Sequence, residues 1–133
     1  PYYLIQNVLI GVMAQRLVRT LCPHCKGRES MDAALWTALV QPLTLPKPQT
    51  IGAAQGCPEC RNTGYLGRVG LYELLTVTPD LRRLFRADMA EETLRSAAFN
   101  QGMRPLRVSA ALQIAAGMTT FEEVVQILPP LAD

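Results

Sequence analysis

The sequence has no long apolar run, little charge imbalance, few aromatic residues and no complete phosphate-binding motif, and each shortage removes a class of function. Its longest mainly apolar stretch, Val8 to Ala14, is followed by Gln15 and Arg16, far short of the roughly 20 residues that cross a bilayer. Thirteen Lys and Arg against 11 acidic residues leave a net charge of +2, so no basic field exists to carry non-specific nucleic-acid binding. Neither Gly-x-x-x-x-Gly-Lys nor Gly-x-Gly-x-x-Gly occurs, and without such a cradle the chain holds no complete nucleotide site. At 133 residues it has the length of one domain, in the range where a modest core gains from a metal staple.

Cysteine is confined to four residues, in two matching frames: Cys22-Pro23-His24-Cys25 and Cys57-Pro58-Glu59-Cys60. Two residues between paired thiolates let both sulfurs reach one metal from a tight knuckle, and two knuckles close a tetrahedral site. The spacing therefore predicts structural zinc held by Cys22, Cys25, Cys57 and Cys60. Two disulfides would suit a secreted chain, but no secretory leader pattern opens the sequence. A redox pair normally appears once, near a βαβ pattern, and a rubredoxin-like iron site uses the same ligands less commonly. His24 lies inside the first knuckle and reads as a solvated residue, since four thiolates already fill the shell.

Residues 7–21 have helical length and good helix formers, with Arg16 and Arg19 three apart, and predict a helix entering the first knuckle. It is apolar on more than one face, which points to a protein partner beyond this chain. A short helix is expected over Met31 to Val40, capped by Ser30 or Asp32, with Trp36 as core anchor or loop clamp. Residues 41–55, with Pro42, Pro46, Pro48 and Gly52, read as a variable loop. Val69, Leu71, Glu73 and Leu75 alternate as in a strand, punctuated by Gly64, Gly67 and Gly70. Four short helices follow. Thr78-Pro79 opens 80–85, Asp88 with Glu91 caps a helix ending at Gly102, Pro105 starts one that Gly117 closes, and Thr120 to Glu123 forms a capping box for 121–128 before Pro129-Pro130.

These residues carry a family resemblance. The segments Ala14 to Lys26, Gly56 to Cys60, Gly64 to Leu75 and Gly117 to Val124 are together similar to the C-terminal part of the type II secretion and type IV pilus assembly ATPases. The likeness runs through nearly the whole chain. Ser109-Ala110 departs from an acidic residue and glycine common in relatives, Gln113 from a lysine, and beyond Lys26 the loop between the knuckles has one lysine, Lys47.

In that family a RecA-like ATPase domain with both Walker elements precedes this region. The resemblance thus implies the zinc-bearing, helical end of a cytoplasmic bacterial motor at the inner membrane. It implies ATP and Mg2+ in the parent protein only, neighbouring subunits of a homohexamer and membrane platform proteins as partners, and membrane association through those partners. Arg68 matches a position near the nucleotide, where a guanidinium can stack on a base or fork onto phosphate; a surface ion pair, with Glu73 as partner, is the plainer role.

The expected fold is α+β and mostly helical. Residues 1–21 form a helix continuing from an ATPase core, 22–77 a tetracysteine zinc module with a short β element and the variable loop 41–55, and 78–133 a small helical bundle. The fragment is expected to relay force and to lack ATPase activity alone, since phosphoryl transfer needs a phosphate cradle and a Mg2+ ligand. A stand-alone zinc-ribbon interaction module is the alternative. A nucleic-acid-binding zinc module fits less well, because Lys and Arg are dispersed.

Overall fold

A computed structural model describes residues 2–41, 43–86 and 88–128. The stop expected at Pro129-Pro130 lies outside them. Helix α1 (Tyr2–Val8) and strand β1 (Gly11–Leu21) open the chain, followed by β2 (Gly27–Ser30), α2 (Ala33–Val40), β3 (Thr50–Ala53), a single 3-10 turn (Pro58–Cys60) and β4 (Tyr65–Thr76). Four short helices end it: α3 (Pro79–Arg82), α4 (Glu91–Asn100), α5 (Leu106–Ala115) and α6 (Phe121–Val125). The α+β class expected from the sequence is the class observed.

The helix predicted over 7–21 does not form: α1 ends at Val8 and Gly11 to Leu21 is a strand paired with β4. Helix propensity differs by only a few tenths of a kcal/mol between most residue types, and a 12-residue partner strand offers a full ladder of backbone bonds that outweighs it. The Arg16 and Arg19 side chains are consequently not neighbours on a helix. The loop 41–55 also contains an unforeseen strand, β3, antiparallel to β2 with Gly27 opposite Ala53 and Ser30 opposite Thr50.

The residues fall into two compact units, 1–14 with 72–105 and 15–71 with 106–133, so the helical end expected as one subdomain over 78–133 is divided between them. In the larger unit, Val18, Trp36, Leu39, Leu71, Ile114 and Val124 belong to one buried cluster. Asp32 caps α2 by accepting from the Ala34 and Leu35 amides at 2.8 and 3.2 Å. Trp36 is both anchor and clamp, buried while its indole N–H donates to the Leu45 carbonyl at 2.9 Å. Helix α5 ends in a Schellman motif: Met118 N–H bonds Gln113 O and Gly117 N–H bonds Ile114 O, with Gly117 at φ +75°.

The smaller unit is organised by Thr78, which caps α3 through the Leu81 amide at 3.2 Å, and by Gln6, which donates to the Arg82 carbonyl at 3.0 Å. Helix α3 stops at Arg82, and 3-10 bonds from Leu84 to Leu81 and Phe85 to Arg82 replace the longer helix expected. Ala90, not Asp88, occupies the α4 cap and offers no side-chain acceptor; Glu91 and Glu92 instead place negative charge in the first turn.

Candidate metal centre

Each cysteine pair is bent into a knuckle by its own backbone. In the first, Lys26 N–H bonds Cys22 O at 3.0 Å; in the second, Asn62 N–H bonds Cys57 O at 2.8 Å, and Arg61 and Asn62 take left-handed conformations. A bond from Cys22 N–H to Gly64 O at 2.9 Å brings the knuckles together. Gly64 sits at φ +85°, where an added Cβ would stand 2.8 Å from the Ala54 Cβ, so both conformation and space require glycine.

All four Sγ atoms lie within 4.8 Å of one another. The Cys22–Cys57, Cys25–Cys60 and Cys57–Cys60 separations are each 3.8 Å, and thiolates about 2.3 Å from a tetrahedral zinc would stand about 3.8 Å apart. No disulfide joins them: the cysteines are free, and an S–S bond is about 2.05 Å. Backbone donors surround the sulfurs, with Gly56 N–H on Cys25 at 3.3 Å and the Cys57 and Gly64 amides on Cys60 at 3.3 and 3.2 Å. Burial pushes the Cys60 thiol up, but the Gly64 and Cys57 amides and the neighbouring thiols outweigh it and bring the pKa down to about 6. At Cys25 the Gly56 amide acts downward, yet burial and the sharing of hydrogen bonds with the other thiols raise the pKa to about 11. A divalent cation would let all four be thiolates. This donor set can hold a metal ion of zinc's size and softness. His24 is exposed, as expected.

Arg68 lies exposed on β4 and makes no ion pair among the described residues. Glu73, offered as its partner, instead faces Arg95 at 3.5 Å.

Sequence reasoning missed a polar cluster beside the first knuckle. The Glu123 carboxylate accepts from Arg19 at its backbone N–H (3.1 Å), Nε (3.0 Å) and Nη2 (2.9 Å). Arg19 also stacks on the Tyr65 ring, 4.3 Å from its centroid, while Tyr65 and Thr120 share a hydroxyl bond at 2.6 Å. Only half of the predicted capping box forms: Thr120 accepts the Glu123 amide at 3.2 Å, and the Glu123 carboxylate serves Arg19. The Arg19 hydrogen bond lowers the Glu123 pKa against its burial, helped by the Arg19 amide. The residues of this cluster were visible in the sequence, but no local spacing relates Arg19 to Glu123.

Among the described residues, no helix is long and apolar enough to cross a membrane. The sequence matches the family described as "Type II/IV secretion system protein" over residues 1–126. It is 41% identical over 127 residues to the type IV pilus assembly ATPase TfpB of Acinetobacter baylyi, covering 96% of this chain and 22% of the relative. It is 38% identical to the type II secretion system protein HxcR of Pseudomonas aeruginosa over 94% of this chain and 23% of that protein. With the type IV pilus assembly ATPase PilB of Thermus thermophilus, identity is 36% over 90% of this chain and 14% of the relative. The chain therefore spans a quarter or less of these three relatives, and it belongs to the type II/IV secretion system protein family.

Proposed function

We propose that this chain is the zinc-tied C-terminal portion of a bacterial secretion or pilus-assembly motor ATPase, a structural and force-relaying part that does not hydrolyse ATP alone. The observation that carries the reading is the convergence of Cys22, Cys25, Cys57 and Cys60 at tetrahedral spacing in a chain of this family. Zinc suits four thiolates, and its role here is to tie the knuckle that follows β1 to the knuckle that precedes β4 across residues 26–56. The parent protein binds ATP and Mg2+ in a preceding core, works as a homohexamer in the cytoplasm and meets platform proteins at the inner membrane. Exposed Leu4, Ile5, Val8 and Ile10 support α1 and the residues leading into β1 as the surface joined to that core. Arg68, exposed and without an ion pair among the described residues, is available to reach a nucleotide edge.

Elemental analysis of the purified chain tests the metal: one zinc per chain is expected, and less than about half an equivalent of any metal would sink the reading. Phosphate release from the isolated chain should stay at background. In the full-length protein, Cys57→Ser should lower both ATP turnover and assembly, while Arg68→Ala should chiefly weaken turnover. Normal turnover and normal hexamers in both variants would leave the metal as a folding device alone.

A further inference from the structure

The buried polar side chains among the described residues are Thr119, Thr120 and Glu123, and none lacks a partner. They sit against the end of β1, immediately before Cys22. Met118 O accepts from Leu21 N–H at 2.8 Å; Thr119 Oγ1 donates to Arg19 O at 2.8 Å; Glu123 takes the Arg19 amide at 3.1 Å. Residues two apart on a strand present their backbone groups to the same side, so Arg19 and Leu21 turn one edge of β1 to this segment while Cys22 N–H serves Gly64. The α5–α6 connection thus satisfies that edge as a third strand would. Beyond the knuckle, Lys26 Nζ donates to Gly117 O at 3.1 Å, so the knuckle is tied on both sides to Gly117 and Met118, whose placement the Schellman motif sets.

We propose that the segment Gly117 to Glu123 is a positioning element of the metal centre, so that metal occupancy and the docking of α5 and α6 strengthen each other. This rests on the metal reading above. Holding Leu21 and Lys26 orders the two ends of the first knuckle before the metal arrives, which leaves less chain entropy to be lost on binding. The coupling is reciprocal: a metal that fixes Cys22 and Cys25 also fixes the strand edge on which the segment docks.

The test uses the zinc-loaded chain challenged with a competing chelator at neutral pH, and hydrogen exchange before and after stripping. Thr119→Val and Glu123→Gln should each speed zinc release roughly fivefold or more, with zinc content at loading unchanged. Stripping should expose the amides of 118–124 and leave those of α4 protected. If Glu123→Gln does not fold, Lys26→Met, which removes the exposed amine and with it the bond to Gly117 O, should still speed release. Release within about twofold of the parent in the folded variants, or protection of 118–124 that survives stripping while 57–64 opens, would overturn the proposal with the metal reading intact. A parent chain that takes up no zinc would overturn both.

Discussion

The unit of residues 15–71 and 106–133 encloses a continuous core around Leu39, Leu71 and Ile114, together with the cysteine cluster and all three buried polar side chains. The unit of residues 1–14 and 72–105 buries Val77, Leu81, Phe85 and Ala98 but leaves Val8 73% and Ile10 80% exposed. Burial stabilises a domain in proportion to apolar area removed from water, so the first unit holds itself together from several directions while the second leaves much of its apolar surface in water. An apolar row of that kind marks an interaction surface. The contrast places stability in one unit and unspent contact area in the other.

The sharpest way to break this contrast is to remove the tie. Cys60→Ser should abolish metal retention and destabilise the larger unit by about 4 kcal/mol or more, with hydrogen exchange in α4 of the smaller unit little changed. Equal loosening of both units would erase the distinction. Leu39→Ala, at a position 1% exposed, should cost about 2–5 kcal/mol in urea denaturation. A cost below about 1 kcal/mol would place the centre of the core elsewhere.

A pH series sharpens the role of the polar cluster. The Glu123 pKa is lowered in the folded chain, chiefly by the Arg19 hydrogen bond, so the unfolded chain takes up that proton first as pH falls. Its contribution to stability is complete above the ordinary value of about 4.3 and is lost as pH drops through the lower folded value. Glu123→Gln should therefore be less stable than the parent near pH 6 and flatter below about pH 4.5; parallel curves in metal-free protein would show that the carboxylate is not held as an ion. The smallest effect belongs to the smaller unit: Val8→Ser should change stability by no more than about 0.5 kcal/mol. A larger loss would mean that α1 is packed in solution and the exposed row is not a free surface.

Legibility in the sequence followed the range of the interaction. The caps at Thr78 and Thr120 and the stop at Gly117 each use groups within a few residues and were readable, and Asp32 was one of the two caps offered for α2. Asp88 was misplaced because α4 begins later, at a residue with no side-chain acceptor. Strand β3 escaped notice because its four residues carry too little periodicity to stand out from a proline-rich stretch. The fold class and the grouping of the four cysteines were legible; Arg19, Thr119 and Glu123 were not recognisable as one cluster, because they come from β1 and the far end of the chain.

By itself the sequence determined the thiol donor set, since no arrangement of the backbone can alter which side chains bear thiols or the two-residue reach within each Cys-x-x-Cys frame. It also determined the caps at Thr78 and Thr120 and the stop at Gly117, because caps and positive-φ glycines act over a single turn. Tertiary structure alone decided that Gly11 to Leu21 is a strand, since only the ladder with β4 overrides a weak local preference for helix. It alone brought Cys22 and Cys25 to Cys57 and Cys60, and turned Glu123 from its own helix cap to Arg19. Those choices depend on backbone groups and charges far apart in sequence, and a buried polar group takes the partner the fold brings to it.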